Sequence, residues 1–144
     1  MKIELTGIEP VSLNHYQKIR VIKQRGRHMP IKYKPPASVQ FDVDVDNQLM
    51  LLHKEFKKFN DLYDSSIHYL IANYRFYYPI FTKKGHISRK SKDVDNLVKP
   101  INDLLFSYLK ADDAEIIELV AMKFHSEIPK IIIELSFNEL HLIK

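Results

Sequence analysis

A chain of 144 residues fits one domain, and 45% hydrophobic residues with 11% aromatics are enough for a full core. Charged residues make up 28%, no apolar run approaches the roughly 20 residues of a bilayer span, and no signal-peptide pattern opens the chain, which together exclude a disordered or membrane-embedded protein. Cysteine is absent, excluding disulfides, thiol catalysis and cysteine-ligated zinc and fitting a reducing cytoplasm.

The net charge is only +4, but its placement is uneven. From Pro10 to Phe41 there is no acidic residue, while Lys18, Arg20, Lys23, Arg25, Arg27, Lys32 and Lys34 all fall there. A second cluster holds Lys83, Lys84, Arg89, Lys90 and Lys92, so the two segments carry 12 of the 22 Lys and Arg residues. Concentrated positive charge of this kind suits a polyanion, because each phosphate contact releases a condensed counterion. The competing reading is a pair of solvated loops.

In chain order, residues 1–5 alternate polar and apolar and predict a first strand, closed by Gly7 and Pro10. The basic stretch, broken by Gly26, Pro30, Pro35 and Pro36, predicts a loop or a loose hairpin. Val39, Phe41, Val43 and Val45 alternate at period two, and strand and early helix both remain open for them. Leu49, Leu52, Phe56 and Phe59 recur near helical spacing and predict a helix over 46–60. Residues 67–81, rich in Ile, Tyr and Phe, predict a long strand ending near Pro79. Residues 82–92 form a polar, basic loop. Asp95 is placed to cap the next helix, whose Leu97, Val98, Ile101, Leu104, Leu105 and Tyr108 recur at steps of three and four. Two strands follow, over about 115–125 and 130–137. The expected fold class is α+β, a single domain with a mixed β-sheet and two main helices in the order β-α-β-α-β-β.

Chemistry concentrates at Lys92-Asp93-Val94-Asp95-Asn96-Leu97-Val98-Lys99. In extended geometry Asp93 and Asp95 point to one side. Two hard oxygen ligands suit magnesium, which keeps several waters and shares its shell with substrate phosphate. Lys99 lies one helical turn after Asp95, where a fixed positive charge can stabilise a phosphodiester in transition. Asp103, four residues on, is expected to pair with Lys99. Asp112-Asp113 offers a third carboxylate. The competing reading makes these residues a helix cap, a surface lysine and a turn.

Asp44-Val45-Asp46-Asn47 repeats the motif, preceded by Asp42. It fails as a calcium loop, because His53 stands where an EF-hand starting at Asp42 needs glutamate, and it lacks the basic partner, since Met50 takes the place of Lys99. It reads as the polar side of a half-buried segment. Of Tyr74, Tyr77 and Tyr78, two of the three are expected in the core, although all stand near the basic loop, where aromatic rings can stack on unpaired bases.

The basic loop, Asp93-Val94-Asp95-Asn96-Leu97, Lys99, Asp103 and Asp112-Asp113-Ala114 before a hydrophobic strand resemble the RusA-type Holliday junction resolvases of bacteria and their phages. Pro10-Val11-Ser12-Leu13-Asn14 is similar to that family's Pro-Pro-Ser-x-Asn opening. The resemblance implies one RusA-like endonuclease domain over residues 1–144, cutting four-way junction DNA as a homodimer with magnesium, or with manganese in its place. It implies Asp93, Asp95 and Asp113 as metal-binding catalytic aspartates and Lys99 as the catalytic lysine. The interval from Lys99 to Asp113 is one residue shorter than the family pattern, which keeps Asp112 open as the third ligand. Lys18, Arg20, Lys23, Arg25 and Arg27, with Lys83, Lys84, Arg89, Lys90 and Lys92, are the expected DNA-binding residues. The alternatives are a flap or fork nuclease of similar chemistry and a non-catalytic DNA-binding protein.

Overall fold

A computed structural model describes all 144 residues. Ten regular elements follow in order: β1 (Lys2–Thr6), α1 (Leu13–Tyr16), β2 (Lys18–Gln24), β3 (Arg27–Tyr33), α2 (Pro36–Met50), α3 (His53–Leu62), β4 (His68–Tyr78), α4 (Asp95–Leu105), β5 (Ile116–His125) and β6 (Lys130–Glu139). The fold is the α+β domain with a mixed sheet that the sequence predicts. Its four-stranded sheet runs β1-β6-β4-β5, antiparallel except for the parallel β4–β5 pair. The β4–β5 connection carries α4, the crossover that a parallel pair requires.

On β4, Leu70, Ala72, Tyr74, Phe76 and Tyr78 face one way and are buried, as period-two geometry dictates. They meet Ile131, Ile133 and Leu135 of β6, Ile3 and Leu5 of β1, and the apolar stripe of α4 (Leu97, Val98, Ile101, Leu105) in one core. Fully burying each Val, Leu, Ile or Phe side chain among them stabilises the fold by about 1.5–3 kcal/mol. Phe41, Val45 and Leu49 of α2 and Phe56 and Phe59 of α3 close it.

Two details differ from the sequence expectation. The helical region begins ten residues earlier and is two helices rather than one, divided at Leu51 and Leu52, which gives three long helices in place of two. Phe41, Val45 and Leu49 are buried at four-residue steps while Val39 and Val43 are exposed, so the apparent period-two run mixes two faces of α2. Pro36 starts that helix at the position where its missing N–H costs nothing. The basic stretch is a regular hairpin rather than a loose one, with β2 and β3 paired from Lys18↔Tyr33 to Gln24↔Arg27. Its turn, Arg25-Gly26, has positive φ at both residues (50° and 78°), the requirement of a tight two-residue hairpin of matching twist. Pro30 is tolerated because each strand of a two-stranded ribbon has an unpaired edge.

Candidate active site

Asp93 ends the basic loop and Asp95 is the first residue of α4; both are exposed. The expected cap at Asp95 is absent. The amides of Asn96 and Leu97 are taken by the backbone carbonyls of Asp93 and Val94, leaving no work for a capping carboxylate. Nor is the segment extended, since Val94 is already helical (φ −65°, ψ −36°), so the same-side argument from strand geometry does not apply. What remains is two carboxylates with no protein hydrogen bond or ion pair.

That separates them from the decoy. On α2, Asp42 accepts from Tyr16 and Lys34, Asp44 from Gln40, and Asp46 from Tyr108. Each decoy carboxylate holds its own neighbour.

Lys99 projects from the next turn of α4. Its ammonium lies 2.6 Å from Asp103, the expected i,i+4 pair, and 3.2 Å from Asp113. These partners, Asp103 first, raise its pKa above the ordinary lysine value, so it is a fixed positive charge at neutral pH. Asp112 and Asp113 play different parts. Asp112 caps the short 3-10 turn Asp113–Glu115 by accepting from the amide of Ala114 at 2.8 Å, whereas Asp113 faces Lys99.

Tyrosines of β4 lie beneath the site. Tyr74 and Tyr78 are buried and Tyr77 half-buried, so two of the three are core, as expected. Burial foremost, then the charge of Asp113, raises the Tyr74 pKa; its hydroxyl donates to buried Asn102 of α4. Burial, then Glu9 and Asp93, raises that of Tyr78. Tyr74 and Tyr78 are about 13 Å apart along the strand at 3.3 Å per residue. No group of three or more His, Asp or Glu side chains is arranged to hold a metal ion by itself. The all-oxygen, exposed donors of Asp93 and Asp95 do fit a hard cation held by one or two carboxylates, with water and substrate phosphate completing its shell.

The family model described as Endodeoxyribonuclease RusA matches residues 10–136. The chain belongs to the RusA endodeoxyribonuclease family. It is therefore a nuclease, and the non-catalytic alternative falls away. No curated protein matches it.

In this RusA-family chain the expected DNA contacts divide. Lys18, Arg20, Lys23, Arg25 and Arg27 are exposed on the β2–β3 hairpin, and Lys83, Lys84, Arg89 and Lys90 on the loop after β4. Lys92 instead turns inward, its ammonium 2.6 Å from both Glu9 and the Pro10 carbonyl and over the Tyr78 ring. Sequence reading missed the partners of that loop end, Tyr78 and Lys123. The available signal was Lys123 itself, the one cation in the apolar run of β5.

No helix is long and apolar enough to cross a membrane.

Proposed function

We propose that this nuclease is a magnesium-dependent, structure-specific endodeoxyribonuclease that resolves Holliday junctions in recombination and repair by paired hydrolysis of two strands. The observation that carries the reading is the pairing of two unengaged carboxylates, Asp93 and Asp95, with Lys99 one turn further along the same helix and bonded to Asp113. Asp93 and Asp95 would hold the metal, with Asp113, which stands apart from them, closing on it as a third ligand only when ion and substrate bind, and manganese would substitute for magnesium. A bound divalent ion there would polarise the scissile phosphate and lower the pKa of an attacking water. Lys99, charged at working pH, would offset negative charge building on that phosphate. The hairpin and the loop over 83–90 would hold the DNA backbone on either side.

Two symmetric cuts call for two active sites, which a two-fold dimer supplies. Support comes from β5, an edge strand whose Ile117, Leu119, Val120, Met122 and Phe124 remain 38–54% exposed. Along it Lys123 is engaged internally, leaving Glu118 and no free cation, so the strand is poorly suited to phosphate. A second copy offers the same apolar strand and would cover the unpaired ladder edge, which otherwise invites aggregation.

The test is a supercoiled plasmid carrying an extruded cruciform. Paired resolution yields linear plasmid within one binding event. Accumulation of nicked circle alone would overturn paired cleavage, and equal cutting of a plasmid without a cruciform would overturn structure specificity.

A further inference from the structure

We propose that Lys123, with Tyr78, is a positioning residue that fixes the peptide ahead of Asp93 and so presets the Asp93 carboxylate. This role rests on the reading of Asp93 as part of the active site.

The Lys92 carbonyl accepts from the Lys123 ammonium at 2.9 Å and from the Tyr78 hydroxyl at 3.2 Å. Lys123 also reaches Ser91 Oγ at 3.1 Å. That carbonyl belongs to the peptide whose nitrogen is Asp93's own. Peptide planarity ties the oxygen, that nitrogen and the Asp93 Cα into one rigid unit, so holding the oxygen holds the root of the Asp93 side chain. On its other side, the Asp93 carbonyl accepts from Asn96 at the start of α4. Asp93 is thereby gripped at both flanking peptides while its carboxylate stays unengaged.

The choice of lysine is informative. Its ammonium sits half-buried on the core side of β5, level with Phe76, yet forms no ion pair and bonds only neutral oxygens. A charge spent on a carbonyl makes a shorter, stronger hydrogen bond than a neutral donor does. A purely structural position in this apolar strand would be filled by an apolar residue at no desolvation cost. The segment it anchors carries Lys83, Lys84, Arg89 and Lys90, whose mutual repulsion and motion on DNA would otherwise be passed to Asp93. Lys92, clasped to Glu9 and the Pro10 carbonyl, anchors the same residue from its side chain.

The experiment compares the full-length protein with Lys123→Met, which keeps the aliphatic stem, and Lys123→Arg, which keeps the charge. Amide hydrogen exchange is read without DNA or metal, alongside melting temperature, junction Kd in EDTA and kcat for junction cleavage. Lys123→Met should speed exchange at the Asn96 and Leu97 amides, which the Asp93 and Val94 carbonyls hold, while leaving β4 and β6 protected. It should lower kcat by about 10- to 100-fold, the usual cost of losing a supporting hydrogen bond behind a metal ligand, with Kd unchanged. Lys123→Arg should recover most of both. Should Lys123→Met fail to fold, Tyr78→Phe removes the other donor and should show the same local pattern at smaller size. Unchanged exchange at Asn96 and Leu97, or exchange raised equally across the domain without rescue by arginine, would overturn the proposal. Because exchange is measured on the free protein, that outcome is separate from a wild-type protein that cuts no junction.

Discussion

Lys99 and Asp113, 14 residues apart in the chain, meet with the lysine ammonium 3.2 Å from a carboxylate oxygen. The contact joins the first turns of α4 to the turn that leads into β5. It sets Asp113 beside the helix whose first residue is Asp95. Lys99→Ala should lower junction cleavage by about 100-fold or more, the scale of removing one group that stabilises transition-state charge. Affinity and its salt dependence should barely move. Equal losses of binding and cleavage would make Lys99 an ordinary backbone contact.

Asp112 and Asp113 are separated by the same geometry. Asp112→Asn keeps an acceptor for the Ala114 amide, so cleavage should stay within a few-fold of the parent. Asp113→Asn removes the charge facing Lys99 and should abolish cleavage. The reverse ranking, measured on stability-matched protein, would transfer the role to Asp112.

Binding should fall steeply with salt, with a log–log slope of about −0.9 per phosphate contact on duplex arms. Neutralising exposed Arg89 and Lys90 together should make that slope shallower by roughly one to two contacts. Lys92→Ala should leave the slope unchanged, since its ammonium is held by Glu9 and the Pro10 carbonyl. A shallower slope for Lys92→Ala would mean that the clasp opens on DNA.

Much of this was legible in the sequence, and the exceptions have physical causes. The period-two pattern of β4 and the three-and-four spacing of α4 report burial directly, so both elements follow from hydropathy. The α2 segment misleads because Val39 and Val43 are apolar yet exposed, which imitates strand alternation. The hairpin hides because its faces bury nothing, leaving Arg25-Gly26 as its main local signal. At the site, charge and spacing pick out Asp93, Asp95 and Lys99, but only the fold separates Asp113 from Asp112. Tyr78 and Lys123 act through a backbone carbonyl, a contact without sequence spacing of its own.

Alkaline pH should unfold the protein. Tyr16, Tyr63, Tyr74, Tyr78 and Tyr108 all have pKa values raised above 10.0, chiefly by burial, with Tyr108 pushed up to about 12. A raised folded pKa gives stability that is complete below the unfolded value and is lost as pH climbs from about 10 through the folded values. Melting temperature should therefore hold to about pH 9.5 and fall beyond it. Tyr74→Phe, which strips the partner from buried Asn102, should cost about 1–3 kcal/mol at neutral pH. A melting temperature flat to pH 12 would contradict this account of the core.

We propose that exposed, unengaged Asp93 and Asp95 carry metal-dependent cutting, whereas Asp44 and Asp46, bound to Gln40 and Tyr108, do not. The most direct measurement incubates a labelled four-way junction, with and without magnesium, with the parent protein and with the Asp93→Asn, Asp95→Asn, Asp44→Asn and Asp46→Asn variants. The parent should cleave in a magnesium-dependent way, and the Asp44 and Asp46 variants should retain that activity within a few-fold. The Asp93 and Asp95 variants should lose cleavage by orders of magnitude with junction binding intact. Parent-like cutting by Asp93→Asn, or cutting that persists without any divalent ion, would contradict the proposal.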